Sequence, residues 1–355
     1  MSENYPIITI VIATFNSSKT LPIVLKSIKK QNYPQNRIEV LAVDGGSSDN
    51  TLELIEEFGG YVIDNPKTEP IHAKYLGFLN AKGKYIIYLD HDEEIENENS
   101  FKLKLNIFQK NKNIRSVDTS GYKNPLGYSF INEYINEYGD PFSFFVYRQS
   151  RAEKYHLNDL KKHYSTLYED LECAIFSFSP NDVPLIENVA GGIMTDMEYV
   201  KSNLNVATPQ MLVHLFHLLN EKQALLAVAK NDPLIHYSSD NLLNYFNKIK
   251  WRIKNNIHHI KVTGEAGFSG RERFQHPWLK IKKYLFIPYT YSIILPLIDS
   301  LYLAITRRKI LYFIHLPLCL YTASLILYHY GLKIIGYKPK LKSYDESKII
   351  EDIDN

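Results

Sequence analysis

The stretch Tyr85-Ile86-Ile87-Tyr88-Leu89-Asp90-His91-Asp92 runs an apolar segment directly into two carboxylates one residue apart. A short apolar run of this kind suits a strand buried on both faces. The carboxylates then fall where strand becomes loop. Two earlier stretches have the same form. The β-branched run 7–12 leads into Ala13-Thr14-Phe15-Asn16, and residues 39–43 lead into Asp44-Gly45-Gly46-Ser47-Ser48-Asp49. Between them, residues 20–30 place Leu21, Val24, Leu25 and Ile28 at helical spacing. Pro22 falls in the first turn, where proline is tolerated. Residues 51–58 and 71–81 read as further helices and 61–63 as a strand. This alternation predicts βαβ units around a mostly parallel sheet. In such sheets ligands bind beyond the carboxyl ends of the strands. Asn16, Asp44 and Asp90 are each expected at such an end, so three polar clusters converge on one edge.

The chain has 355 residues, and a single core stops growing near ~250–300. The expected division is an α/β domain over 1–240 and a basic, apolar helical region over 241–355. The formal net charge of +2 gives no sign of a nucleic-acid partner, and none is expected. Two distant cysteines, Cys173 and Cys319, make no disulfide framework and suit a reducing compartment. The start of the chain lacks a basic segment followed by an apolar run. It reads as no signal peptide, with the first domain on the cytoplasmic side.

Asp90-His91-Asp92 has a defined chemistry. Mg²⁺ and Mn²⁺ take oxygen ligands and share them with substrate phosphates. A cation so held stabilises a departing diphosphate. On these residues the first ~95 positions resemble the family 2 glycosyltransferases of the GT-A fold, a Rossmann-like nucleotide-diphospho-sugar transferase architecture. The resemblance rests on Val11-Ile12-Ala13-Thr14-Phe15-Asn16, on Val43-Asp44-Gly45-Gly46-Ser47-Ser48-Asp49-Asn50-Thr51, on Ala73-Lys74-Tyr75-Leu76-Gly77 with Ala81-Lys82-Gly83-Lys84-Tyr85, and on Leu89-Asp90-His91-Asp92. It continues more loosely through Gly191-Gly192 to His236. It implies that Thr14 and Asn16 line the nucleotide pocket and that Asp44 bonds the base or ribose. Lys74 stands where the family usually has arginine. Asp90 would reach the ribose or metal, Asp92 the metal and diphosphate, and His236 the metal. The implied activity is metal-dependent, inverting transfer from a UDP-hexose type of donor to a lipid-linked or glycan acceptor. The alternative is a catalytically silent nucleotide-sugar-binding scaffold. A nucleotidyltransferase is disfavoured, because Thr14-Phe15-Asn16 replaces the basic, glycine-rich loop such enzymes place there.

The resemblance fails at one point. A Glu-Asp pair usually follows the Gly-Gly by some 18 residues, and its aspartate is the general base. Here that position holds Thr208-Pro209-Gln210. Asp196 is the leading substitute, with Glu169-Asp170 and His214 behind it. An ionised polyprenyl phosphate acceptor would need no base. Residues 185–194 read as a strand, 209–219 as an amphipathic helix and 241–255 as a basic helix. The apolar stretches 285–305 and 310–332 are each about long enough to cross a ~30 Å bilayer core. Proline, histidine and Asp299 interrupt them, and Arg307-Arg308-Lys309 between them opposes a spanning hairpin. Helices lying in or re-entering the cytoplasmic leaflet are expected, with a soluble helical subdomain as the alternative. Arg271 and Arg273 follow a glycine-bearing loop over 264–270. They are expected either to close over a diphosphate or acceptor phosphate, or to face lipid headgroups.

Overall fold

The computed structural model describes residues 5–260, 267–343 and 348–350. Its contacts divide the chain into two units, Met1–Pro125 with Glu153–Tyr237, and Leu126–Ala152 with Ser238–Asn355. Positions 264–266 of the glycine-bearing loop lie outside the described residues.

The first unit is built as its hydrophobic pattern dictates. The strands β1 (Ile8–Thr14), β2 (Ile38–Asp44), β3 (Tyr61–Asp64) and β4 (Tyr85–Asp90) alternate with the helices α1 (Leu21–Lys29), α2 (Thr51–Phe58) and α3 (Pro70–Asn80). These four strands are parallel, in the order β3-β2-β1-β4. The chain then passes through β5 (Glu93–Ile95), α4 (Ser100–Lys110), β6 (Ile114–Asp118), β7 (Tyr122–Lys123), β8 (Thr166–Glu169), β9 (Cys173–Phe176), β10 (Met194–Asp196), β11 (Leu225–Ala229) and β12 (Leu234–His236). The main sheet continues β4-β10-β6-β11-β9-β8, and β5-β12-β7 form a small second sheet. Strand β10 runs antiparallel to both β4 and β6. Ile8, Ile10, Ile12, Ile87 and Leu89 point into one core layer, and Val11, Leu41, Val43, Ile86 and Tyr88 into the other. Burial on both faces is why these strands lack polar alternation. Helix α3 lies unusually close to β1: a Cβ on Gly77 would stand 2.3 Å from Val11 Cγ1.

Two expectations need correction. The strand expected over 185–194 is confined to Met194–Asp196. Gly191 and Gly192 before it both have positive φ, which makes a turn and not a strand. The helix expected over 209–219 is broken at His214 into Pro209–Val213 and Leu215–Glu221.

The second unit is helical. Helices Phe130–Tyr138 and Pro141–Tyr147 pack with Leu242–His258, Ile294–Arg307 and His315–Ile334. Residues 126–152 therefore group with the C-terminal helices and not with the α/β unit. The reason is aromatic: Tyr134, Tyr138 and Phe144 share one core with Tyr245, Leu303 and Tyr312. Two charge pairs tie this core together. Arg148 grips Asp299 with two bonds of 2.7 Å. Glu137 takes Arg307 Nε at 2.7 Å and the Tyr312 hydroxyl.

Candidate functional site

Parallel pairing fixes the edge of the site. Thr14 is level with Asp44, and Ala13 is level with Asp90. Neighbouring strands stand ~4.8 Å apart, so Asp44 and Asp90 flank β1 at a backbone separation of roughly 10 Å.

On the β1–β2 side the loops lock together around Asp44. Its Oδ1 accepts from Thr14 Oγ1 (2.9 Å) and Ser47 Oγ (2.6 Å), and its Oδ2 from the amides of Gly46 (2.9 Å) and Ser47 (2.7 Å). Gly46, at φ 89°, supplies the left-handed turn that aims its amide back at the carboxylate. Asn16 stands at φ 48°, and its Oδ1 accepts from the Ser48 amide at 2.9 Å. Thr14, Asn16 and Asp44 thus form one preorganised cluster. Asp49 holds the next turn, accepting from the Ser18 amide (3.0 Å) and the Thr51 amide (3.1 Å). Although burial opposes it, bonding to Thr51 and Ser18 brings this carboxyl down to about 2.

On the β4 side, Lys74 Nζ reaches Asp90 Oδ1 at 2.8 Å. Burial alone would lower the ammonium's pKa, but Asp90 more than offsets it and the net shift is upward. Asp92 Oδ2 lies 3.6 Å from His236 Nε2, because β12 pairs with β5 and sets His236 opposite Glu93. Tyr237 completes the join, its amide donating to Asp92 O at 2.9 Å. The buried Glu93 accepts from the Asp90 amide (3.0 Å) and the Tyr122 hydroxyl (2.7 Å). Burial, reinforced by Asp90, pushes its carboxyl up to about 7 against the pull of His236. Among the described residues no three His, Cys, Asp or Glu groups alone form a metal cage. Asp92 and His236 do fit a cation that draws its remaining ligands from a diphosphate, the habit of Mg²⁺ and Mn²⁺.

Asp196 does not belong here. Antiparallel β10 sets it opposite Tyr85, the first residue of β4, at the other edge of the sheet from Asp90. It caps helix Met197–Asn203 through the Tyr199 amide (3.0 Å) and pairs with Arg115 at 3.0 Å. Its position after the Gly-Gly misleads because the strand there runs backward. The other substitutes fare no better. Glu169 is bound by Lys161 and Lys230, and Asp170 by Lys110, around the outermost strand. His214 is buried between two short helices. Arg271 and Arg273 lie in the second unit. Burial lowers the Arg271 guanidinium while Tyr147 opposes the shift, and Arg273 covers the Phe274 ring at 4.6 Å.

Sequence reading missed the supports of the site. Lys104 and Asp232, both almost fully buried, pair at 3.0 Å. Lys104 also donates to Gly192 O at 3.0 Å, and the Gly192 amide donates to Tyr88 O at 3.1 Å. The Gly-Gly turn is thereby tied to β4 beside Asp90. A lysine at an apolar-facing position of α4 was the available signal. At the carboxyl end of β6, His156 Nε2 meets Asp118 Oδ2 at 3.2 Å. Glu69 caps α3, accepting from the His72 amide at 2.6 Å, and so orients the helix that carries Lys74.

Glu69 gives a pH prediction. Burial raises its carboxyl from 4.5 to about 7. A folded-state value above the unfolded one means that stability is fully present below pH 4.5 and is lost as pH rises through 7. The expected loss is on the order of 3 kcal/mol. Urea unfolding from pH 4.5 to 8 measures it, and Glu69→Gln should remove this share of the pH dependence.

A mixed α/β sheet whose parallel half carries this carboxylate pair beyond β4 and a locked polar loop beyond β1 and β2 has the GT-A fold. Residues 9–181 match the family model for glycosyl transferase family 2. It is 33% identical over 105 residues to glycosyltransferase GlyG of Streptococcus pneumoniae, across 27% of this chain and 32% of that protein. It is 26% identical over 96 residues to the poly(ribitol-phosphate) β-N-acetylglucosaminyltransferase TarS of Staphylococcus aureus, across 25% of this chain and 17% of TarS. The chain thus matches less than a third of either relative's length. Among solved structures, the mannosyltransferase PcManGT of Pyrobaculum calidifontis, in complex with GDP-Man and Mn²⁺, shares the fold. Its TM-score is 0.51 at 11% identity, over 92% of this chain and 88% of that one.

Proposed function

We propose that the protein is a metal-dependent, inverting glycosyltransferase that moves a hexose-type sugar from a UDP donor to a lipid-linked or glycan acceptor. The observation that carries this reading is the meeting of Asp92 with His236 beside the Lys74–Asp90 pair, at the strand edge where the Asp44 loops also end. The Asp44 loops hold the nucleoside, and Asp92 with His236 holds Mg²⁺ or Mn²⁺ against its diphosphate. Bound there, the cation supplies Lewis-acid stabilisation to the leaving diphosphate. Lys74 keeps the Asp90 carboxylate oriented and partly neutralised.

The acceptor half differs from the usual arrangement, because the Glu-Asp pair is absent and Asp196 faces the other way. An acceptor already ionised, such as a polyprenyl phosphate, needs no base, and this favours the lipid-linked reading. A 33% identical relative over 87 residues, from Methanococcus voltae, is named as a glucuronosyltransferase acting on a dolichyl N-acetylglucosaminyl phosphate. The second unit, with a helix at Ile310–Ile334 apolar and long enough to cross a membrane, fits attachment to the cytoplasmic face of the cell membrane.

The test is a panel of nucleotide-sugars with Mg²⁺ or Mn²⁺, with and without a polyprenyl phosphate, read by release of nucleoside diphosphate. A UDP-sugar consumed only with cation and lipid phosphate supports the reading. Nucleotide binding without turnover on any acceptor supports the silent-scaffold alternative.

A further inference from the structure

The C-terminal helices leave an apolar surface uncovered in an unusual shape. Helical segments over Pro277–Tyr291 and helix Ile294–Arg307 meet at a 94° bend. At the corner, Tyr291, Ile293, Ile294 and Leu295 are all exposed, Ile294 by 67%. Ile293 stands at φ 61°, where a β-branched residue is strained. The exposed stripe continues down both arms. On the first arm it comprises Trp278, Ile281, Tyr284 and Leu285. On the second it comprises Leu297, Ile298, Leu301, Tyr302 and Ile305. The opposite faces, with Phe286, Tyr289, Pro296, Ser300 and Leu303, are buried within the second unit. A contiguous apolar face of this extent is not a feature of a surface meant for water.

Two further observations identify what covers it. The corner satisfies its own backbone: Ser292 N donates to Pro288 O, Ile293 N to Thr290 O, Ile294 N to Ser292 O and Leu297 N to Ile293 O. The Ser292 hydroxyl donates to Tyr289 O and accepts from Leu295 N. Internal satisfaction of this kind is what a backbone needs in hydrocarbon. Charge lies at the two ends of the bent segment. Six cations stand there, Lys280, Lys282 and Lys283 and then Arg307, Arg308 and Lys309. Lys283 pairs with Glu272, Arg307 with Glu137 and Lys309 with Glu133, which leaves Lys280, Lys282 and Arg308 outside those pairs. The single acid between the two groups, Asp299, is neutralised by Arg148.

We propose that this corner inserts as a wedge into one leaflet of a bilayer containing anionic lipid, with Lys280 and Arg308, one at each end of the bent segment, lying at headgroup level. Geometry sets the depth. The second arm has 14 residues, which at ~1.5 Å per residue is about 21 Å. With each arm inclined by half the bend, the corner reaches roughly 15 Å, about half of a ~30 Å hydrocarbon core. The wedge therefore enters and returns without crossing. The long apolar helix His315–Ile334 lies along the basic helix Leu242–His258, with His329 against His258 at 3.3 Å and Lys333 donating to Ile257 O at 3.1 Å.

The inference rests on the reading that the second unit meets a membrane and is independent of the transfer chemistry. Its test uses the full chain and sealed vesicles, of phosphatidylcholine alone or with phosphatidylglycerol. The native thiols, Cys173 and Cys319, are buried. Single variants Leu295→Cys and Arg308→Cys are labelled with an impermeant maleimide. The expected result is preferential binding to phosphatidylglycerol vesicles, protection of Leu295→Cys on binding, and unchanged labelling of Arg308→Cys with the vesicles intact. Ile294→Asp should weaken vesicle partitioning at least about tenfold, the scale of one buried aliphatic side chain. If Arg308→Cys is labelled only after the vesicles are opened, the segment crosses and the wedge is wrong. If the chain binds but Leu295→Cys labels as it does in solution, another face carries the contact and the wedge is again wrong. If the chain binds neither vesicle, the membrane reading itself fails along with it.

Discussion

Asp92→Ala should lower turnover by roughly 10³-fold or more, the scale of removing a group that stabilises charge on a leaving diphosphate. Asp92 and His236 are 3.6 Å apart, and Asp90 is already engaged by Lys74. The chain offers a cation two ligand groups and leaves the rest to the nucleotide, so metal and UDP should bind as a pair. Calorimetry should show weak Mn²⁺ binding to the chain alone and much tighter binding once UDP is present. Asp92→Ala should erase that coupling, a readout that does not depend on knowing the acceptor. Asp196→Asn is the contrasting variant. It keeps the helix cap and lies at the opposite sheet edge, so its kcat should stay within about threefold, a difference under 1 kcal/mol. Coupling that survives in Asp92→Ala would remove the cation from this place. A large loss of kcat in Asp196→Asn would restore that residue as a candidate base.

The second large effect is on stability. Lys104→Ala should cost about 3–5 kcal/mol, because it leaves Asp232 as an uncompensated buried charge. The pair is buried to within 2% exposure on both sides. Ser100 Oγ donates to Asp232 Oδ2 at 3.0 Å, and Lys104 holds both Ser100 and Gly192. Total stabilities run to ~5–15 kcal/mol, so this single change consumes a large fraction. Urea unfolding measures the loss. The double variant Lys104→Met with Asp232→Leu should recover most of it, since a buried pair replaced by apolar groups of like volume is often neutral. If Lys104→Ala and the double variant lose equally, volume and not charge governs the site. The loss should also reach the chemistry, because Lys104 ties the Gly191-Gly192 turn to the end of β4.

How legible the molecule is in its sequence can be argued element by element. Residues 7–95 were readable because β1, β2 and β4 are buried on both faces and each helix on one. Continuous apolar runs for the strands and the 3.6 period for the helices therefore print directly into the order of apolar residues. The strand ends were readable for the same reason, and with them Thr14, Asn16, Asp44, Asp90 and Asp92. After residue 100 the strands shorten to two to five residues and several run antiparallel. No period can be read from three residues, and Met194–Asp196 was accordingly misplaced. The resemblance implies only that His236 approaches the metal, whereas the register of β12 on β5 is what sets it beside Asp92.

By itself the sequence determined the parallel half of the sheet, the edge on which polar loops gather, and the apolar excess of the C-terminal helices. These are local properties, encoded by which face of each element avoids water. The tertiary structure alone decided that Asp196 lies off that edge and which buried charges are paired. It alone showed that residues 126–152 join the helical unit, and that an apolar run expected to lie in or re-enter a leaflet bends by 94° with its corner exposed. Those outcomes depend on strand direction and on contacts between residues far apart in sequence, such as Tyr134 with His315 and His236 with Asp92, which no local pattern records.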